Sequence, residues 1–441
     1  MSTDAFGNAV TLHDEAALAG LNDFVEGFLA SEARAVNVIA TAAHDTSPLV
    51  QAYAAAVHMF AETPDAPTNA RPFLDRAIDA MGRADDREQR FIHAVMAWVE
   101  GDIPHAVKLH EEQARLYPRD LVSLKLGDYH LFNAGDAPGM LRLLLGTTQT
   151  AGDICYLHGM IAFALEQCNL LEPAEAAARK AIAMRRREPW AHHALAHIML
   201  TQGRIHEGHA FLQDVSDTWT GLNSFMVTHN WWHQALFALE LDDHDEVLDL
   251  YDTRIWGVAK DYSQDQVNAV SLLARLEMAG VDVGNRWQDV ANYLTVRLND
   301  HVLAFLDMQY LYGLARAGRG EADVLMRNIE THAQSAPAHS QPAWQRVCVP
   351  ASRALLAHAR GQYETAVDQM GAALPRLQEI GGSHAQRDLF AQVYVDSLVR
   401  GGHLAGAQHV LQQQSRLAPE SLRLRRQATQ VNTMLGIASA I

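Results

Sequence analysis

Two pairs of histidines, each with four-residue spacing, carry the chemistry that this sequence suggests most directly. His193 and His197 lie in WAHHALAHIML, and His229 and His233 lie in HNWWHQALFALE. Side chains four residues apart project from the same face of a helix, so each pair can present two imidazoles to one side. Neutral imidazole nitrogens, often with a carboxylate, are the ligands that divalent transition metals take from proteins. The spacing therefore makes a divalent metal a candidate ligand of this stretch.

The same residues also have plainer explanations. Asn230 follows His229 where the zinc-protease motif HExxH has its general-base glutamate, so that motif is excluded. The chain has 23 histidines, so some pairs at this spacing are expected by chance. Trp231 and Trp232 are expected to pack at a repeat interface, although one of them could form the wall of a pocket. The sequence assigns no catalytic residue and leaves open whether the protein is an enzyme.

Composition narrows the classes of partner. The formal net charge of −17 argues against nucleic acid or an anionic membrane surface, since both require a basic face on the protein. No apolar run approaches the roughly 20 residues that span a bilayer, and the first residues lack a signal-peptide pattern. Three separated cysteines without a CxxC pair argue against a disulfide framework and against a thiolate zinc site. The sequence predicts a cytoplasmic protein and does not determine its oligomeric state.

The elements that must position these side chains are helices. Ala, Leu, Glu, Gln and Arg dominate, and alternating β-branched runs are missing. Turn residues recur at 34-residue intervals, each followed five positions later by a small or apolar residue of a new helix: Gly101, Gly135, Asn169 and Gly203. A helix–turn–helix unit of about 34 residues is typical of tetratricopeptide repeats. The predicted fold class is all-α, a right-handed solenoid of antiparallel helix pairs that is irregular in the middle.

One tetratricopeptide-like helical domain is predicted over residues 1–441. Three parts are expected within it: regular repeats at 85–250, irregular helices at 251–335, and C-terminal repeats with a cap at 351–441. Residues 333–350 contain several prolines and small residues and are predicted to form a long surface connection. The 34-residue register is lost after Gly203, because the next turn, near Asp242, comes late.

Several longer motifs, in the same order along the chain, resemble the tetratricopeptide repeat protein 38 family. They are WAHHALAHI, HNWWHQALFALE, VDVGNRWQDV and GGSHAQRDLF, and the similarity covers nearly the whole chain. The resemblance implies an all-helical fold of tetratricopeptide-like repeats and brings no established reaction, since the family is named for its fold.

The resemblance also matches single positions. They are His193 and His197 in the first motif; His229, Asn230, Trp231, Trp232 and His233 in the second; Asp300, His301 and Asp307 in another block; and Gly381, Gly382, Ser383, Ala385, Gln386, Arg387 and Asp388 in the last. The chain departs from the family pattern at Met308-Gln309, where the family has a histidine shortly after the aspartate. If that position is a metal ligand in the family, the departure weakens a metal site that includes Asp307.

The GGSHAQRD motif has a local explanation that covers part of it. Ser383 followed three residues later by Gln386 predicts a capping box at a helix N-terminus. The cap does not explain Arg387, because an arginine in the first turn opposes the helix dipole. Arg387 could bind a carboxylate or phosphate group there, or it could pair with Asp307 or Asp265 across helices.

Two functions remain open from the sequence. The first is a scaffold whose helical repeats bind a protein or peptide partner. The alternative is an enzyme or small-molecule-binding protein whose enclosed pocket collects the polar residues of these motifs: His193, His197, His229, Asn230, Trp232, His233, Asp265, His301, Asp307, Gln386, Arg387 and Asp388. No cofactor is assigned beyond a divalent metal, with His197, His229, His233 and Asp307 as candidate ligands. Arg387 would hold the anionic group of a small ligand. The alternative predicts that the histidines and the Gln386–Asp388 segment meet within about 10 Å.

Overall fold

The computed structural model describes residues Ser2–Ile437, and its regular structure is almost entirely helical. Met1 and residues 438–441, at the ends of the predicted domain, lie outside the described residues. Within the described part of the chain, the strands are β1 (Ser2–Thr3) and β2 (Ala9–Val10), which pair antiparallel. The all-α helical-repeat fold predicted from the sequence is confirmed.

The helices follow one another with short connections. The first thirteen are α1 (Ala17–Leu29), α2 (Asn37–Ala42), α3 (Pro48–Met59), α4 (Ala66–Ala80), α5 (Asp86–Val99), α6 (Ile103–Leu116), α7 (Leu121–Asn133), α8 (Ala137–Leu145), α9 (Thr148–Ala151), α10 (Cys155–Gln167), α11 (Leu171–Met184), α12 (Pro189–Gln202) and α13 (Ile205–Val215). The remaining helices are α14 (Ser224–Glu240), α15 (His244–Leu250), α16 (Ser263–Met278), α17 (Arg286–Leu294), α18 (Ala304–Arg316), α19 (Glu321–Ser335), α20 (Gln341–Ala343), α21 (Val349–Ala359), α22 (Tyr363–Ala373), α23 (His384–Arg400), α24 (Leu404–Leu417) and α25 (Leu422–Met434). Short 3₁₀ segments cover Ala33–Val36, Met81–Arg83, Ser216–Thr218 and Leu374–Ile380, and π turns cover Tyr251–Ile255 and Trp344–Cys348.

The chain divides into two compact units. Unit 1 comprises the chain up to Ala194 together with Asp217–Met226, and unit 2 comprises Leu195–Ser216 together with the chain from Val227 onward. Helices α12 and α14 therefore each begin in unit 1 and continue into unit 2. A single domain over residues 1–441 stays a prediction.

The repeat turns have the backbone that the 34-residue spacing predicts. Each turn residue lies in the left-handed region, with φ of +78° at Gly101, +71° at Gly135, +57° at Asn169 and +70° at Gly203. Glycine adopts this conformation without strain, and asparagine tolerates it. The next such residue, Asp242 (φ +62°), comes late because the Ser216–Thr218 turn and the segment after it precede α14. The predicted loss of register is therefore an insertion before the helix that carries His229 and His233.

Helix pairs continue through the part that was expected to be irregular. Helix α16 packs against α17 and α18 against α19, with left-handed glycines Gly280 and Gly318 in the two turns. Small residues allow close contact between helices of unit 2. Gly313 has side-chain atoms of Leu294 and Val270 where a Cβ atom would lie.

The prediction of a long surface connection at 333–350 is wrong. Helix α19 continues to Ser335, and α20 and the π turn Trp344–Cys348 lead directly into α21. Trp344, Val347 and Cys348 are buried in the core of unit 2. Proline is compatible with helix at two places in this segment. Pro342 lies in the first turn of α20, where a missing N–H breaks no helical bond, and Pro350 directly follows the π turn.

The last helix of unit 2 returns to the C-terminal end of α14. The carboxylate of Glu240 accepts hydrogen bonds from the Ser421 hydroxyl (3.3 Å) and from the backbone N–H of Arg423 (2.9 Å). The guanidinium of Arg423 pairs with Glu240 (3.3 Å) and with Asp388 in α23 (3.3 Å). The last helix described, α25, is thus joined to both α14 and α23 by partly buried charged groups.

None of the helices in the described part of the chain is long and apolar enough to cross a membrane. The three cysteines are free thiols, and Cys348 is buried.

In unit 1, a buried ion pair joins α5 to the start of α7. The Arg87 guanidinium lies 2.8 Å from Asp120, and the two side chains are 3% and 2% exposed. We expect Arg87→Met to lower the free energy of unfolding by about 3–5 kcal/mol, because it leaves the Asp120 carboxylate buried without its countercharge. The control is Arg142→Met, whose partner Asp136 is 3.7 Å away at an exposed site. Arg142→Met should lower the free energy of unfolding by less than about 1 kcal/mol. Urea unfolding at pH 7 measures both variants, and equal losses would contradict the assignment.

Candidate functional site

Within unit 2, two helices bring three histidines together. Helix α12 carries His197, and α14 carries His229 and His233 one turn apart. His193, one turn earlier on α12, belongs to unit 1. The three side chains in unit 2 are buried, with exposures between 0% and 2%. One nitrogen of each can be chosen so that the three nitrogens lie within 4.8 Å of one another. In the part of the chain that the structure describes, no other group of three or more His, Cys, Asp or Glu side chains converges in this way.

The rings are arranged as neighbours with different orientations. The ring centroids of His197 and His233 are 4.6 Å apart, and those of His229 and His233 are 4.9 Å apart at an interplanar angle of 86°. In a tetrahedral zinc site the metal–nitrogen distance is about 2.0–2.1 Å, which places ligand nitrogens about 3.3–3.4 Å apart. Binding an ion would therefore draw the most distant nitrogens together by roughly 1.5 Å. The donor set fits a metal that prefers imidazole.

The electrostatics favour the neutral imidazole that a metal requires. Burial lowers the pKa of His229 to about 3, the hydrogen bond with Asn268 raises it, and the neighbouring His197 lowers it. The Nδ1 atom of His229 lies 3.0 Å from Oδ1 of Asn268. At neutral pH the ring is therefore uncharged, and its Nδ1 atom contacts the amide of Asn268.

Trp232 and Arg275 connect this cluster to the GGSHAQRD helix. The Trp232 ring stacks on His229 with centroids 5.1 Å apart, and the Arg275 guanidinium lies over the Trp232 ring at 5.5 Å. Arg275 also donates to the backbone carbonyl of Ala385 (2.7 Å) in the first turn of α23. Arg275 is 3% exposed, and sequence reasoning did not select it. Its spacing from Asn268 and Ser271 on α16 forms a polar stripe that could have indicated a buried role.

The start of α23 has the predicted capping box. The Ser383 hydroxyl accepts from the Gln386 N–H, and the Gln386 side chain accepts from the Ser383 N–H. Arg387 donates to the carbonyls of Gly381 and Gly382 in the turn before the helix. These bonds account for an arginine in the first turn, because they satisfy its guanidinium with backbone acceptors.

Asp388 has partners outside its own turn. Its carboxylate accepts from Gln392 (2.5 Å) and pairs with Arg423. Burial acts to raise the pKa of Asp388, but Arg423, Arg275 and Gln392 together hold it below the ordinary value. The carboxylate is therefore charged at neutral pH and ties α23 to the last helix.

Two further candidates, His301 and Asp307, form a separate pair. The Nδ1 atom of His301 lies 2.6 Å from a carboxylate oxygen of Asp307, and His301 stacks on His332 with centroids 4.8 Å apart. Asp307 is not among the residues that converge with His229. Unit 2 therefore offers the three nitrogens considered from the sequence without the carboxylate of Asp307.

The last two candidates lie beside the histidines. The carboxylate of Asp265 accepts from the Thr228 hydroxyl (2.9 Å), one residue before His229. Asn230 is fully buried and follows His229, so its side chain is rotated by about 100° around the α14 axis. The meeting of His233 with Arg387 within about 10 Å stays a prediction.

Comparison with known proteins finds only distant similarities to this chain. No family model matches the chain. The solved structure of Naa15/Naa10 bound to HypK-THB is 12% identical, covers 96% of this chain and 66% of that one, and has a TM-score of 0.26. The tetratricopeptide repeat domain of P58(IPK) is 11% identical, with coverages of 81% and 100% and a TM-score of 0.23. Yeast Tom70 is 12% identical, with coverages of 78% and 88% and a TM-score of 0.23. The chain thus spans 66% of the length of the first of these, and its repeat fold rests on the helix pairs and turns described above.

The His301–Asp307 pair makes a prediction about pH. Burial raises the pKa of Asp307 to about 6, although the hydrogen bond from His301 works against this rise. The folded protein therefore binds the proton more tightly than the unfolded chain does. Stability from this group is present at low pH and is lost as the pH rises through 6.

We expect the free energy of unfolding of Asp307→Asn, taken relative to that of the wild type, to be about 2 kcal/mol higher at pH 7 than at pH 4.5. Urea unfolding at both pH values measures this difference, and Asp368→Asn, at an exposed site on α22, is the control. A difference of the opposite sign, or one that the control shares, would refute the assignment.

Proposed function

We propose that this protein binds a first-row transition metal ion at His197, His229 and His233 of unit 2. The observation that carries the proposal is the convergence of these three buried imidazoles, each with a nitrogen within 4.8 Å of the others. Imidazoles that converge in this way are a donor set that such metal ions take from proteins.

The donor set and the burial indicate the kind of metal and the kind of site. Imidazole suits zinc, copper, nickel and iron, whereas magnesium and calcium require oxygen ligands. Catalytic metals keep an open position for water or substrate, and structural metals are enclosed by protein ligands. A site whose three histidines are at most 2% exposed is of the enclosed kind. The protein would then be a helical-repeat scaffold stabilised by a metal, and not a metalloenzyme.

Metal analysis of the purified chain tests the proposal. We expect about one transition-metal ion per chain, and stabilisation by about 2.7 kcal/mol when free Zn²⁺ or Co²⁺ reaches a hundred times its dissociation constant. His233→Ala should lose both the bound metal and the stabilisation.

The control is His110→Ala, which removes a histidine that is equally buried and bonds to Ser123 in unit 1. It should keep the metal response. A wild-type chain without stoichiometric metal and without a thermal shift in Zn²⁺, Co²⁺, Ni²⁺ or Cu²⁺ would rule the proposal out.

A protein or peptide partner is the second candidate ligand, and a repeated surface feature of unit 1 favours it. Helices α6, α8 and α11 each end on a large exposed apolar side chain: Leu116 (43%), Leu145 (46%) and Met184 (42%). Single exposed apolar residues are ordinary, but recurrence at the same point of successive second helices is a pattern that a partner can use.

The triple substitution Leu116→Ser, Leu145→Ser and Met184→Ser tests this surface. We expect the thermal midpoint to stay close to wild type while proteins that crosslink to the wild-type chain are lost. Leu417→Ser, which removes an 81% exposed leucine at the end of α24, is the matched control. An unchanged crosslinking profile in the triple variant would contradict the proposal.

We also infer membership of the tetratricopeptide repeat protein 38 family, because two of its motifs supply the three histidines of the cluster. A small anionic ligand at Arg387 and a cytoplasmic location stay predictions.

A further inference from the structure

A chain of buried hydrogen bonds leads away from the histidine cluster within unit 2. The Thr228 hydroxyl donates to Oδ1 of Asp265 (2.9 Å), and the Asn268 side-chain amide donates to the Thr228 oxygen (3.5 Å). Oδ1 of Asn268 lies 3.0 Å from Nδ1 of His229. These four side chains are at most 2% exposed.

The backbone places the four groups in register. Thr228 and His229 are neighbours on α14, while Asp265 and Asn268 are three residues apart on α16 and so lie on one face of that helix. Each helix therefore contributes two alternating members of the chain, and both helices belong to unit 2. Packing of α14 against α16 is sufficient to assemble it.

The donors and acceptors of this chain follow one order. The Thr228 hydroxyl donates to Asp265, and the Thr228 oxygen accepts from the NH₂ group of the Asn268 amide. The carbonyl oxygen of Asn268 therefore faces His229. Because a carbonyl oxygen only accepts, Nδ1 of that ring must carry the proton.

We infer that Asp265, acting through Thr228 and Asn268, fixes His229 in the Nδ1–H tautomer and thereby presents its Nε2 atom to a divalent metal. This inference rests on the proposed function for its ligand. The three residues are positioning residues, because none of them needs to touch the ion. The relay also places the carboxyl group of Asp265 three hydrogen bonds from the ring.

The relay also explains why Asn268 is an amide. Histidines that bind metals usually donate their second N–H to a carboxylate, a carbonyl or water, and this partner orients the ring. Here an amide carbonyl takes that role, and the amide is itself oriented by the Thr228 hydroxyl group, which donates to Asp265. The carboxyl group of Asp265 thus acts on the ring through Thr228 and Asn268.

The tautomer can be measured without any metal. In the metal-free full chain labelled with ¹⁵N-histidine, we expect long-range ¹H–¹⁵N correlations to show the proton of His229 on Nδ1. The resonance is assigned by its disappearance in His229→Gln. In Asn268→Ala the ring should populate both tautomers. A proton on Nε2 of His229 in the wild-type protein would overturn the inference.

Metal affinity gives a second readout, using Zn²⁺ as the probe. We expect Asn268→Ala to weaken Zn²⁺ binding by about 10–100-fold. Asn268→Asp, which keeps an acceptor for Nδ1–H, should stay closer to wild type than Asn268→Ala. Thr228→Val, which removes the hydroxyl at nearly constant volume, should weaken binding in the same direction as Asn268→Ala.

Gln266→Ala is the matched control. Gln266 is as buried as Asn268 and lies on the same helix, α16, but it contacts Lys260 and Arg297, outside the relay. Its variant should bind Zn²⁺ as tightly as the wild type. If the wild type binds Zn²⁺ and Asn268→Ala binds it equally well, the relay is refuted and the metal site stands. If the wild type binds no metal, the proposed function fails, and the tautomer measurement still decides the relay.

Discussion

Buried polar groups must find partners, and this constraint determines how α14, α16 and α23 of unit 2 are held together. His229 is bonded to Asn268, Asn268 to Thr228, and Thr228 to Asp265, all at positions that water hardly reaches. Each unmade bond at such a depth would cost about 1–3 kcal/mol. The polar side chains therefore specify one register between α14 and α16, which apolar packing alone would define less sharply.

The same constraint extends to the charged residues around the cluster. Arg275 satisfies its guanidinium with Ser271 and the Ala385 carbonyl, and its face lies over Trp232, which stacks on His229. Arg423 brings the last helix to Glu240 at the end of α14 and to Asp388 in α23. These ion pairs join α25 of unit 2 to the helix that carries two of the histidines.

Local signals in the sequence were sufficient for the repeat fold and insufficient for the contacts between distant segments. The turns at Gly101, Gly135, Asn169 and Gly203 and the capping box at Ser383 depend on a few neighbouring residues, so their sequence patterns predict them directly. The segment 333–350 was misassigned because prolines and small residues are also compatible with short buried helices, and only the core around Trp344 decides between the two. Arg275 and Arg423 were not recognised for the same reason, since their partners lie far away along the chain.

The candidate site shows most clearly the difference between local sequence signals and contacts between distant segments. Four-residue spacing correctly places two histidines on one face of each helix, but spacing cannot say which other residues face them. The structure groups His197 with His229 and His233 and gives Asp307 a different partner, His301.

A crystal of the purified protein soaked in Zn²⁺ and measured at the zinc absorption edge tests the metal site most directly. The proposal predicts one strong anomalous peak about 2.0–2.1 Å from nitrogens of His197, His229 and His233. An empty histidine cluster in crystals that bind zinc elsewhere on the surface would contradict it.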